Sequence, residues 1–210
     1  MLFRSPVVHT EVDMGSLSES AGREYIAKYG KKKWELHKRV IREMWDGLRE
    51  KIFSIDLPYE RLRIYQDGLP ICGKELEIVR DIAGKGSPNH KIVLDLIERG
   101  AKLEGTEDPG LLIQEYNGLK KLYQASTVKE KLKAIQDFKQ VAGELLVKRD
   151  RYMARRIDRT LAQNEVGLLF IGMQHAVNKY LGGMKITYLI YRLPFKESLS
   201  GNSGKFRVTP

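Results

Sequence analysis

Two histidines and two acids each follow a segment with the character of a buried strand. His175 comes three residues after a glycine that closes a short, uninterrupted apolar run. His9, Asp67 and Glu107 follow three shorter segments of strand character. In a parallel sheet covered by helices, the carboxyl ends of the strands meet at one edge, and ligands bind there. We therefore expect these four side chains to approach one another.

Three further polar residues join this set through the neighbouring helical segments. Glu75 lies in the first turn of a short amphipathic segment, on its apolar face. Asp150 lies on the apolar stripe of the long segment that precedes the last apolar run, directly after Arg149. A buried acid normally needs a partner. Arg149 or a group at the sheet edge is expected to supply it.

This combination of side chains can activate water in two ways. His9, His175 and Glu107 are a plausible ligand set for zinc, manganese or iron with open positions for water. A bound metal would lower the pKa of that water, and a carboxylate such as Glu75 would act as general base. Without a metal, a histidine activates the water, a carboxylate orients the histidine, and an arginine such as Arg149 stabilises the oxyanion.

The elements that must position these residues alternate between apolar runs and helical periodicity. This pattern predicts an α/β fold with a mostly parallel sheet of about five strands, flanked by helices, and with a helical insertion. Helices are expected at about residues 110–124 and 128–161, with Gly143 as a candidate break in the second. Residues 1–195 are expected to form a single domain, and the Ser/Gly/Asn-rich residues 196–210 a flexible tail. The strands are expected at residues 2–10, 61–66, 101–105, 167–173 and 184–192.

Composition excludes several classes of protein. Cys72 is the only cysteine, so an intrachain disulfide and a thiolate zinc cluster are excluded. The sequence has no apolar run near the roughly 20 residues of a membrane span, and its start lacks a signal peptide, so we expect a soluble cytoplasmic protein with no membrane partner. It also lacks a G-x-S-x-G elbow, a Walker loop and a dinucleotide fingerprint.

The formal net charge of +10 favours anionic partners. Nucleic acid is the obvious one, but no nucleic-acid motif accompanies the charge, so this partner is disfavoured. Trp34 and Trp45 lie on one helical segment, and they face either a second subunit of a homo-oligomer or the core.

Two short motifs carry a resemblance to a known superfamily. Gly172-Met-Gln-His175 resembles the C-terminal G-x-x-H element of the TraB, ChaN and erythromycin-esterase-like superfamily. Arg149-Asp-Arg-Tyr-Met-Ala154 is similar to the arginine-aspartate-x-x-methionine-alanine stretch of its esterase branch, and His9 resembles its N-terminal strand-end histidine. The resemblance implies an α/β fold with a helical insertion and a pocket of two histidines, an acid and an arginine. The candidates for the acid are Asp67, Glu75 and Glu107, and those for the arginine are Arg149, Arg151 and Arg155.

Members of this superfamily include metal-dependent peptidases, macrolide-cleaving esterases and a haem-associated lipoprotein. The resemblance therefore implies a hydrolase of a small-molecule or peptide substrate, which cleaves an ester or amide with water activated between His9 and His175, with or without a metal. The alternative is a non-catalytic protein that uses the same pocket for a metal, haem or a small anion. A third hypothesis, association with nucleic acid through the basic helices, predicts steeply salt-dependent binding.

Overall fold

A five-stranded parallel sheet organises residues 1–189, which are the part of the chain that the computed structural model describes. Its spatial order is β3-β2-β4-β1-β5, and every strand pair is parallel. The predicted α/β class is therefore confirmed. The strands are β1 (Leu2–Val7), β2 (Leu62–Gln66), β3 (Lys102–Glu104), β4 (Val166–Gly172) and β5 (Ile186–Tyr188).

Strand β4 lies at the centre because it is apolar on both faces. Its five inner residues are all buried, which is typical of a strand covered by helices on either side. Strands β1 and β2 pair with it so that Val7 aligns with Gly172 and Gln66 aligns with Phe170. The carboxyl ends of these three strands therefore lie at one edge of the sheet.

Six α-helices, together with three short 3-10 segments, complete the described part of the chain. Ser87 and Asp108 each accept a hydrogen bond from a backbone N–H in the first turn of the helix that follows, and Thr127 forms a capping box with Glu130. The helices are α1 (Ser18–Tyr29), α2 (Lys31–Phe53), α3 (Glu75–Gly84), α4 (Pro88–Glu98), α5 (Pro109–Gln124) and α6 (Val128–Thr160), and the 3-10 segments are Val12–Leu17, Tyr59–Arg61 and Val177–Tyr180.

The helices build a core on each face of the sheet. On one face, Trp45 and Leu48 of α2 pack with Val93 and Leu96 of α4 against alternate strand residues, including Phe170. On the other face, the apolar stripe of α6 packs against the remaining strand residues; the buried members of that stripe are Met153, Ala154 and Ile157. Helix α6 thus lies against the sheet through its C-terminal half.

Several predicted boundaries were wrong. Strand β1 ends at Val7, so His9 lies in the loop beyond it. Helix α6 continues unbroken through Gly143, because one internal glycine costs only about 1 kcal/mol. Gly118 of α5 approaches Phe138 of α6 so closely that a Cβ there would lie 2.5 Å from the Phe138 ring. This contact helps to hold the helical insertion as a hairpin.

The C-terminal end of the chain lies partly outside the described residues. The expected fifth strand, residues 184–192, begins at Ile186, and its predicted end lies outside the described residues, as does the expected tail at residues 196–210. Within residues 1–189, no helix is both long and apolar enough to cross a membrane.

Core burial at β4 predicts a large stability difference between two neighbouring positions. Phe170 has no exposed surface, whereas Met173, just past the strand, is 64% exposed. We expect Phe170→Ala to lower the free energy of unfolding by about 3–5 kcal/mol, and Met173→Ala to change it by less than about 0.5 kcal/mol. Urea denaturation followed by circular dichroism measures both. Equal effects would contradict the assignment of β4 as the central strand.

Candidate active site

A buried arginine gathers three carboxylates at the carboxyl edge of the sheet. Arg149 of α6 donates from Nε to Glu107 Oε2 (2.6 Å) and from Nη2 to Glu107 Oε1 (2.7 Å). Its Nη2 also donates to Asp67 Oδ1 (2.9 Å), and its Nη1 to Glu115 Oε2 (2.6 Å). Asp67 follows β2, Glu107 follows β3, and Glu115 lies on α5. One guanidinium therefore joins four segments of the chain.

His175 lies beside this cluster, between two carboxylates. Its Nδ1 is 2.6 Å from Asp150 Oδ1, and the second oxygen of Asp150 accepts a hydrogen bond from the Ala176 backbone N–H at 2.8 Å. Its Nε2 is 3.5 Å from Asp67 Oδ2, longer than the roughly 2.7–3.2 Å of ordinary N–H···O hydrogen bonds. Asp150 thus fixes the ring, while Nε2 has no hydrogen bond to any residue within 1–189.

The close approach of the Asp67 carboxylate explains why a glycine, Gly172, ends β4. Its backbone N–H donates to Asp67 Oδ2 at 2.9 Å. A Cβ on Gly172 would lie 3.1 Å from the same oxygen, so a larger residue would push the carboxylate away by a few tenths of an ångström. Gly172 and His175, the first and last residues of this turn at the end of β4, therefore both lie against Oδ2 of Asp67.

The charges of the cluster shift its pKa values in opposite directions. Burial raises the pKa of Asp67, but the charges of His175 and Arg149 outweigh it, so the pKa is lowered. Burial raises the pKa of Glu107, and the charge of Asp67 adds to this in spite of Arg149. Burial alone would lower the pKa of His175, yet the hydrogen bond to Asp150 and the charge of Asp67 raise it. Relative to the free side chains, the cluster therefore stabilises the ionised form of Asp67 and the protonated form of His175, and it disfavours the ionised form of Glu107.

Two of the predicted site residues do not contact this cluster. Glu75, proposed as general base, accepts hydrogen bonds from the backbone N–H groups of Cys72 and Gly73 at 2.8 and 3.0 Å. It is held at the start of α3 because the free N–H groups of that loop bind its carboxylate. His9 lies at the same sheet edge as His175, but it is exposed and forms no hydrogen bond with the cluster.

The predicted metal ligands do not assemble into a coordination site. Both oxygens of Glu107 are occupied, by Arg149 and by the Gly68 backbone N–H at 2.8 Å. Across residues 1–189 there is no group of three or more histidine, cysteine, aspartate or glutamate side chains arranged to hold a metal ion. The donors of His9, His175 and Glu107 therefore do not fit a bound metal as they stand.

A second buried polar cluster lies where the loop after β1 meets α4. Asp13 Oδ2 accepts from the backbone N–H and hydroxyl of Thr10, both at 2.7 Å, and its Oδ1 is 3.4 Å from His90 Nδ1. Burial raises the pKa of Asp13, but hydrogen bonds from His90, Ser87 and Thr10 lower it to about 2. His90, in the first turn of α4, is 7% exposed. Ser87 and Asp13 both approach the same ring nitrogen, so this is not a nucleophile–base–acid relay.

Sequence reasoning missed one member of the main cluster and the pairing in the second. No sequence pattern marks Glu115 as a site residue, apart from its position on the helix that follows Glu107. Asp13 and His90 are far apart in sequence, and only the fold brings the loop to the start of α4.

Comparisons with protein families, with curated proteins and with solved structures find no match to this chain.

Removing the central cation should destabilise the fold more than removing an exposed one. Arg149→Met leaves Glu107 and Asp67 buried without their counter-charge, so we expect a loss of about 3–5 kcal/mol in the free energy of unfolding. The loss should shrink at acidic pH because protons then neutralise the carboxylates. Arg155, exposed on the same helix, is the matched control, and Arg155→Met should cost less than about 0.5 kcal/mol. Similar losses in the two variants would refute the central role of Arg149.

The titration of His175 tests whether its two carboxylate neighbours, Asp150 and Asp67, raise its pKa. By NMR, we expect its ring to titrate above the ordinary value of 6.5, while His37, whose pKa burial lowers, titrates below it. Asp150→Asn should bring the His175 midpoint down. Because the folded pKa is the higher one, the stabilisation from this pair is full below about 6.5 and disappears as the pH rises through the folded pKa. A midpoint unmoved by Asp150→Asn would disprove the coupling.

Proposed function

We propose that this protein is a hydrolase that cleaves an ester or amide bond, with His175 as the group that moves the proton. The observation that carries the proposal is an imidazole whose Nδ1 is fixed by Asp150 at 2.6 Å while Nε2 remains without a normal hydrogen bond at the carboxyl edge of the sheet. An oriented imidazole with one free nitrogen is the usual arrangement of a general acid–base.

In the proposed reaction, neutral His175 accepts a proton at Nε2 from a water molecule as the water oxygen attacks the carbonyl carbon. Asp150 and Asp67 stabilise the imidazolium that forms. The proton then passes from Nε2 to the leaving oxygen or nitrogen as its bond to the carbonyl carbon breaks. The products are a carboxylic acid and an alcohol or amine, and His175 returns to its neutral form.

Arg149 has a positioning role in this scheme and does not stabilise the oxyanion. Its Nε, Nη1 and Nη2 atoms all donate to carboxylates. A new bond to a reacting oxygen would require one of these to break in a buried environment, which is costly. Arg149 instead holds Asp67 in place beside the ring of His175.

The charge of the cluster narrows the substrate class. Four carboxyl groups, those of Asp67, Glu107, Glu115 and Asp150, surround one guanidinium and one imidazole. A surplus of negative charge repels phosphate esters and other anionic substrates. A neutral ester or amide is therefore the substrate class that the site supports best.

The second candidate function is non-catalytic binding at the same cluster, with a metal, haem or a small anion as the occupant expected from the sequence. The deep burial of the cluster favours a binding role over turnover, since His175 is 7% and Glu107 0% exposed. Among these three occupants, the surplus of carboxylates disfavours a small anion.

Hydrolysis is tested with a panel of p-nitrophenyl esters and peptide anilides. We expect His175→Gln and Asp150→Asn to lower kcat by about 10²–10⁴-fold while circular dichroism shows folded protein, with Arg155→Met as the active control. The acid limb of the pH–rate profile should lie above the ordinary histidine value, and in any residual activity of Asp150→Asn it should move to lower pH. Activity that survives His175→Gln would refute this mechanism.

Two further experiments distinguish the one-histidine mechanism from a two-histidine mechanism and from a metal-dependent one. His9→Gln should leave kcat within about twofold, because His9 is exposed and outside the cluster; a loss equal to that of His175→Gln would restore the two-histidine scheme. Activity should persist after dialysis against EDTA. Loss of activity that one divalent ion restores would assign the reaction to a metal.

A further inference from the structure

A large cavity lies between α1, α2 and the start of α4, and none of the residues of the His175 cluster lines it. Its volume is about 930 Å³, within the roughly 300–1,000 Å³ of sites that bind small organic ligands. The loop after β1, including His9, forms part of its border. The cavity therefore opens near the carboxyl edge of the sheet, but it is built from different helices.

One wall of the cavity is a set of contacting aromatic rings. The Tyr25 ring lies 5.0 Å from Trp34 and 5.1 Å from His37, the latter in a stacked arrangement at 22°. His37 is also stacked on Trp34, at 5.7 Å and 24°. Burial lowers the pKa of His37, which favours the neutral form of this ring. Such a wall offers flat, polarisable surface against which another aromatic ring can stack.

Four of the nine charged side chains that line the cavity are already paired. Among its acids, Asp95 pairs with Arg49, and Glu24 pairs with Lys131 of α6. Lys38 pairs with Glu35 at 3.0 Å. Pairing therefore neutralises these charges.

The charges left without ion pairs are mainly positive. Arg42 of α2 and Lys91 of α4 are exposed and form no ion pair with any carboxylate of residues 1–189. With Lys28 they make three cations at the cavity, against the two exposed acids Glu11 and Asp46. The balance is one net positive charge, which complements a single negative charge on a ligand.

We propose that this cavity is a binding site for a small aromatic monoanion, whose ring stacks on Tyr25, Trp34 and His37 and whose anionic group lies near Arg42 and Lys91. The site is separate from the proposed hydrolytic cluster and does not depend on it. Aromatic surface supplies most of the binding, and the two cations select for negative charge.

Tryptophan fluorescence can report binding at this site. It has two tryptophans, Trp34 and Trp45, and both line the cavity. The probe is anilinonaphthalene sulfonate, an aromatic monoanion, compared with phenylnaphthylamine, which has the same ring system without the charge. We expect the sulfonate to quench the tryptophan emission saturably, with energy transfer to the dye, and to bind more tightly than the neutral dye.

Three variants make the test specific. Arg42→Gln should weaken sulfonate binding by about threefold to fivefold and leave the neutral dye unchanged. Arg39→Gln, an exposed arginine on the same helix outside the cavity lining, should affect neither dye. Ala21→Phe places a larger side chain in the cavity and should abolish both, with folding verified by an unchanged urea midpoint. Equal affinity for the two dyes, equal effects of Arg42→Gln and Arg39→Gln, or full binding to folded Ala21→Phe would overturn the proposal.

Discussion

The described structure depends most on the burial of one positive charge. Arg149 is 4% exposed, and an uncompensated buried ion costs several kcal/mol. Its guanidinium donates four hydrogen bonds to carboxylates from the turn after β2, the loop after β3 and helix α5, so the helical hairpin is tied to the sheet edge at one point. The hydrophobic burial that holds α6 against the sheet is itself non-directional. The directional bonds of the guanidinium fix its register.

That register also places the proposed catalytic histidine. Consecutive residues on a helix point about 100° apart, so Arg149 and Asp150 face different strand ends. Arg149 reaches the ends of β2 and β3, while Asp150 reaches His175 beyond β4. Asp67 contacts both Arg149 and, through its other oxygen, the Gly172 turn. The orientation of His175 is therefore coupled to the same charge network that holds α6.

The parallel-sheet rule made much of this site predictable. Asp67, Glu107 and His175 follow strand ends, and they meet at one edge because the strands are level there. The apolar stripe of α6 predicted that Asp150 needs a buried partner, and the structure supplies His175. The position of His9 could not be predicted in this way, because it lies in a loop after β1 and the strand order does not fix the direction of a loop side chain. Glu75 was misplaced because backbone N–H groups, invisible as a sequence pattern, bind its carboxylate.

The distribution of charge gives the two proposed sites different selectivity. The chain has a formal net charge of +10, yet the His175 cluster holds a surplus of carboxyl groups, so the positive charge must lie elsewhere on the molecule. Part of it lies at the cavity between α1, α2 and α4, beside aromatic rings. A long-range positive field draws anions toward the surface, but the local field of the cluster excludes them from His175. If both proposals hold, an anion would bind at the cavity and be repelled at the cluster, whereas a neutral substrate would not be repelled at the sheet edge.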